Sequence, residues 1–131
     1  MLIHCGDLTD PHVVHLCAIV PLTCVLGNND YDAEGIRVAV SAVGGTYLEW
    51  GGEINCANKR IAVTHGDNTR LFRSIVLSQP DYLLFGHTHV PMNERDGPTR
   101  QINPGALHRA RSYTVALLDT ELDSVRFLPV R

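Results

Sequence analysis

The sequence predicts an α/β protein whose β-sheets pack on one another in layers. Three observations point there. Up to Phe85, short apolar runs without helical period alternate with helical patterns, whereas the last third carries strand patterns only. Several of the apolar runs stop at a glycine-containing polar turn, as strands do. And 131 residues with 44% hydrophobic and 19% charged content suit one ordered domain with a core of its own.

The elements follow in order. Met1 to Cys5 is a short apolar run ending in Gly6-Asp7 and reads as a strand. Asp10 has the chemistry of an N-cap and Pro11 suits the first helical position, so a short helix is expected through about Ala18, broken by Pro21. Thr23 to Leu26 is a strand feeding the turn Gly27-Asn28-Asn29-Asp30. Thr46 to Cys56 and Lys59 to Thr64 form a hairpin around Ala57-Asn58, the second arm ending at His65-Gly66-Asp67. Asn68 to Leu77 places Leu71, Phe72, Ile75 and Val76 on one helical face, and Pro80 closes it. Tyr82 to Phe85 is a buried-type strand running into Gly86-His87-Thr88-His89. Pro91 to Arg95 pairs with Arg100 to Asn103, and Tyr113 to Leu118 with Ser124 to Leu128.

Composition excludes several function classes. The formal charge is −3, and the basic residues, ten arginines and Lys59, are scattered, which argues against a broad nucleic-acid surface. A short basic cluster at Arg109 and Arg111 could meet one anionic group. The longest apolar runs, Ala18 to Pro21 and Tyr82 to Phe85, are far too short to span a bilayer, so no membrane role is expected. The N-terminus lacks the basic region and long apolar run of a signal peptide. Cys5, Cys17, Cys24 and Cys56 form no CxxC pair and no zinc-ribbon spacing, and read as reduced core residues of a cytoplasmic protein.

Four polar clusters stand at one kind of place, directly after a short apolar strand: Gly6-Asp7, Gly27-Asn28-Asn29-Asp30, His65-Gly66-Asp67 and Gly86-His87-Thr88-His89. Loops beyond the carboxyl ends of strands are where α/β proteins assemble their sites. Taken singly, each cluster has the chemistry of an ordinary turn. Together they offer carboxylate, carboxamide oxygen and imidazole, a mixed ligand set suited to Mn, Fe, Ni or Zn rather than Ca.

The order Gly-Asp, Gly-Asn-x-Asp, His-Gly, Gly-His-x-His resembles motifs two to five of the calcineurin-like metallophosphoesterases, and most nearly their small prokaryotic phosphodiesterase branch. Asn103-Pro104-Gly105 resembles the C-terminal loop of that branch. The resemblance implies a layered αββα sandwich formed by one domain, residues 1–131. It implies that Asp7 bridges two metals, that Asn28, His65 and His87 complete the second metal's ligands, and that His89 serves the first. Two divalent ions, manganese foremost with nickel, iron or zinc as alternatives, would hold a bridging hydroxide for in-line attack on the phosphorus of a small phosphoester, by analogy a diester. Asp7 and Asn28 would be catalytic by positioning metal and phosphate. Asn29 and Arg109 are candidates to touch substrate, and Asp30 and Asn103 to stand behind the ligands.

The resemblance is incomplete at one end. The family's first motif, Asp-x-His, has no counterpart, because only five residues precede Gly6. The chain therefore reads as lacking its N-terminal strand and helix, with one metal or none in place of two. Replacement from His4, Asp10, His12 or His15, and outright loss of catalysis, are the alternatives. An uncovered sheet edge predicts self-association. Asn29 stands where many relatives have a histidine that protonates the leaving group, and Asp67 where histidine is common. The competing function is a non-catalytic interaction scaffold on the same fold, as in a retromer subunit.

Overall fold

The computed structural model describes residues 1–131, and its layers follow from which face each strand makes apolar. Strands β1 (Leu2–His4), β2 (Leu22–Cys24) and β3 (Thr46–Tyr47) form a parallel three-stranded sheet in the order β1-β2-β3. A five-stranded sheet in the order β4-β5-β6-β8-β7 is built from β4 (Gly51–Cys56), β5 (Lys59–Thr64), β6 (Tyr82–Leu84), β7 (Met92–Asp96) and β8 (Thr99–Asn103). Its middle pairs, β5 with β6 and β6 with β8, are parallel, and its outer pairs antiparallel. Strands β9 (Thr114–Asp119) and β10 (Ser124–Pro129) make a separate antiparallel hairpin.

Side chains alternate across these strands, so each sheet feeds two cores. Leu22, Cys24 and Leu26 pack outward under helices α1 (Pro11–Cys17) and α2 (Ala33–Ala42), against Val14, Ile36 and Val40. Val25 points the other way and meets Ile61, Val63, Tyr82, Leu84 and Ile102 of the larger sheet. Ile3 and Cys5, and Ala116, Leu118 and Val125 of the hairpin, pack on that same inter-sheet cluster. On the far side, Ala62, Leu83 and Phe85 receive Phe72, Ile75 and Val76 of α3 (Thr69–Leu77). The result is helix, sheet, sheet, helix, the αββα sandwich.

The caps are local chemistry. Asp10 accepts a bond from the His12 amide and Pro11 opens α1, as its sequence requires. Asn68 accepts from Leu71 at the start of α3. Far from the strand C-termini, Asp123 in the β9–β10 turn accepts from Tyr82, Arg95 and Arg100 and fastens the hairpin to the larger sheet. No helix is long and apolar enough to cross a membrane. All four cysteines are free, with Cys24 buried.

Two expectations need correction. Helix α2 had no counterpart in the sequence reading, although Asp32 caps it by accepting from Gly35 and Glu34 pairs with Arg37 along it. Its Ile36, Val38 and Val40 alternate like a strand, and β-branched residues are poor helix formers, so tertiary packing decides. The expected strand Thr46 to Cys56 is in fact two. Thr46–Tyr47 joins β2, and after a turn through Leu48 to Trp50 only Gly51–Cys56 pairs with β5.

Candidate functional site

The loops after β1, β2, β5 and β6 meet at one end of the sandwich, two from each sheet. Asp7 and Asn28 come from the three-stranded side, and His65 and His87 from the five-stranded side. Close approach of the first two loops demands glycine. At Gly6, φ is +93°, and an added Cβ would stand 2.7 Å from His65 Nδ1. At Gly27 an added Cβ would overlap the Asp7 carboxylate and lie 2.5 Å from its amide nitrogen. Asp7, His87 and His89 themselves hold left-handed φ values of 59°, 63° and 59°. This left-handed backbone costs energy for residues other than glycine, and three of the candidate ligands adopt it.

Asp30 is the buried anchor of the β1 and β2 loops, 5% exposed. One carboxylate oxygen accepts from the amides of Asp7 at 2.9 Å and Gly27 at 2.7 Å, and the other accepts from Thr9 at 2.6 Å. Asn103, fully buried, does the same for the loop after β6. Its Nδ2 donates to the Gly86 carbonyl at 2.7 Å and to Thr88 Oγ1 at 3.0 Å, while its Oδ1 accepts from Gly105.

At the centre, His65 is buried and its tautomer is set by the backbone. Nδ1 lies 2.8 Å from the Cys5 carbonyl oxygen, which can only accept, so Nδ1 carries the proton and Nε2 presents its lone pair. That lone pair faces Asn28 Oδ1 at 3.0 Å, His87 Nδ1 at 3.3 Å and Asp7 Oδ2 at 3.5 Å. His87 Nδ1 is also 3.1 Å from Asn28 Oδ1. His65 Nε2 and Asn28 Oδ1 thus face each other as acceptors with at most the His87 Nδ1 proton to share, and the negative Asp7 Oδ2 stands beside them. A divalent cation satisfies such an arrangement, and the donor set fits one. Counting His, Cys, Asp and Glu alone, no metal-holding group of three or more forms. The Asn28 carboxamide is what joins the two imidazoles and the carboxylate.

Asn29 lies against Asp7 rather than facing outward alone. Its backbone amide donates to Oδ1 at 2.9 Å and its Nδ2 to Oδ2 at 2.8 Å. Burial pushes the Asp7 carboxyl up, but these two bonds and the neighbouring His65 and His87 outweigh it, leaving the group below the ordinary carboxylate range. His89 makes no hydrogen bond to the other four. Its Nδ1 is 3.2 Å from the Arg109 carbonyl oxygen, so Nδ1 donates there and Nε2 is left free.

The other histidines and acids of the sequence reading stand apart. His12 and His15 are exposed on α1, Asp10 is occupied as its cap, and Asp67 is exposed. His4 has a buried Nδ1 with no hydrogen-bond partner. Burial lowers its pKa, against an opposing pull from Asp30 and Asp7. Cys5 was missed as a contributor, because it acts through a main-chain carbonyl that no residue type announces.

The sequence matches the calcineurin-like phosphoesterase superfamily domain over residues 1–123. Among solved structures, an archaeal phosphodiesterase superposes with a TM-score of 0.88 at 22% identity, over 98% of this chain and 81% of that one. A predicted phosphoesterase from Streptococcus pneumoniae gives 0.65 at 23% identity, over 97% and 72%. Vacuolar Protein Sorting 29 from Cryptosporidium parvum gives 0.62 at 16% identity, over 96% and 79%. At these identities the likeness establishes the fold alone. Comparison with curated proteins finds no match.

Proposed function

Because the chain belongs to the calcineurin-like phosphoesterase superfamily, matched over residues 1–123, we propose that it is a metal-dependent phosphodiesterase whose Asp7, Asn28, His65 and His87 hold a divalent cation. Manganese is the first candidate, with nickel, iron and zinc suited to the same ligands. The carrying observation is the approach of Asn28 Oδ1 and Asp7 Oδ2 to within 3.0 Å and 3.5 Å of His65 Nε2. When bound, the cation supplies Lewis-acid activation of water and of the phosphoryl oxygens.

The residues supply the rest. The Cys5 carbonyl keeps the proton on His65 Nδ1 and aims Nε2 inward. Asn29 grips both oxygens of Asp7, so the carboxylate enters the reaction already oriented. Asp30 and Asn103 hold the loops that carry the ligands. His89 donates through Nδ1 to the Arg109 carbonyl, which leaves its Nε2 as the atom that would serve a further ion. Asn29 has no titratable proton to give a leaving group, so good leaving groups are the expected substrates.

The test is calorimetric titration of Mn into the chain, with hydrolysis of bis(4-nitrophenyl) phosphate followed in parallel. Binding that disappears in Asp7→Ala and in His65→Ala, with Mn-dependent release of nitrophenol, is expected. Absence of both binding and turnover would overturn the reading. One observation favours a scaffold instead: His89 turns to the Arg109 carbonyl rather than to the other four side chains. Binding of Mn without turnover of any diester would support that second reading.

A further inference from the structure

Five of the eleven basic residues are paired with carboxylates: Arg37, Lys59, Arg60, Arg95 and Arg100. Among the six without such a partner, Arg109 and Arg111 lie on the excursion between β8 and β9. Both are exposed, as is His108 between the same anchor points. No Asp or Glu occurs from Gly97 to Leu118, so this excursion is a positive island in a chain of net charge −3.

The excursion is held at its ends and at its middle. Ala106 bridges to Tyr113, Thr114 Oγ1 donates to the Pro104 carbonyl at 2.8 Å, and Gly105 donates to the buried Asn103. At the middle, the Arg109 carbonyl accepts from His89 Nδ1 at 3.2 Å. The backbone that carries Arg109, with Arg111 two residues further on, is thereby fastened to a histidine of the candidate site. Guanidinium forks match phosphate oxygens, and their bonds to phosphate are charge-assisted.

We propose that the 106–113 excursion is an anion subsite for a second phosphate on the substrate, lying beside the one attacked. The substrate class is then a phosphodiester that also carries a terminal phosphate. The inference rests on the phosphodiesterase reading for its substrate, but the subsite itself is built from Arg109 and Arg111 alone. The Arg109 carbonyl adds a coupling: a phosphate that shifts the loop also shifts the His89 ring.

The probes are the thymidine dinucleotide diester with and without a 5′-phosphate, titrated at low ionic strength into the Mn-treated chain and into Arg109→Gln/Arg111→Gln. In the parent chain the 5′-phosphate tightens binding about tenfold, the scale of one charge-assisted contact. In the double variant both dinucleotides bind alike, and added salt erases the parent's preference. A preference below twofold in the parent, a preference that survives the double substitution, or no detectable binding of either probe overturns the proposal. Mn titration of the same samples separates the two readings. Failure to bind Mn with an intact arginine-dependent preference removes the enzyme reading and leaves the subsite standing. Normal Mn binding without that preference removes the subsite alone.

Discussion

Replacement of Asp30 by alanine strips three backbone amides of their acceptor at once. The Gly27 bond is fully buried, whereas those of Asp7 and Thr9 are partly so. A hydrogen bond to a charged group is worth ~1.5–3 kcal/mol, and an orphaned buried donor loses its full hydration. Counting the Gly27 amide in full and the other two at about half, because water can reach them, Asp30→Ala loses ~3–6 kcal/mol. That is a large part of the ~5–15 kcal/mol that holds a typical domain together. Asp30→Asn keeps one acceptor oxygen and turns a donor toward the remaining amide, so a loss of about 1.5–3 kcal/mol is expected. Urea unfolding read by tryptophan fluorescence at Trp50 gives midpoints and slopes for the three proteins. Mn affinity should fall in the same order, because the Asp7 amide is one of the three released. A loss below 1 kcal/mol for Asp30→Ala, or unchanged Mn binding in a folded Asp30→Ala, would show that the carboxylate is not the anchor of these loops.

Three further outcomes are expected. Gly27→Ala drives a methyl into the Asp7 carboxylate and should abolish Mn binding while leaving far-ultraviolet circular dichroism intact; retained affinity would show that the loops can part without consequence. His4→Leu removes the buried nitrogen without a partner and should raise stability by ~1 kcal/mol at neutral pH. Because burial lowers the His4 pKa, the unfolded chain takes the proton first, so the parent loses stability as pH falls below about 6.5 and the variant should lose less there, as urea midpoints at pH 7.5 and pH 5 would show. Burial pushes the Cys5 thiol up to about 12 and the Cys24 thiol to about 11, from an ordinary 9.0. The unfolded thiols therefore ionise first, stability should decline as pH rises beyond 9, and iodoacetamide at pH 8 should leave both cysteines unmodified in the folded chain.

The site was legible wherever a cluster of polar residues and glycine followed an apolar run. Asp7, Asn28, His65 and His87 are brought together because strand C-termini on both sheets end at the same side of the sandwich. His89, two residues beyond His87, is turned elsewhere by a left-handed backbone that no pattern of residue types specifies. The hold of Asn29 on Asp7 is not legible locally, since the two lie 22 residues apart in the chain. Helix α2 was hidden because its apolar residues satisfy a strand's period as well as a helix's, and only the packing of Ile36 and Val40 on the first core chooses between them. The break between β3 and β4 is not legible in the sequence, because the sheet to which each belongs is decided by contacts across the chain, not along it.

The division of the centre between two sheets sets an order of assembly. Asp7 and Asn29 are 22 residues apart, and so are His65 and His87, so each half can close over a short loop within its own sheet. Joining the halves requires contacts of far longer range, 59 residues from Asn28 to His87 and 60 from Cys5 to His65. Such contacts form late in folding. A cation held by all four side chains would therefore find its full ligand set only once the layers have docked, and binding it would favour the docked pair of sheets over either alone.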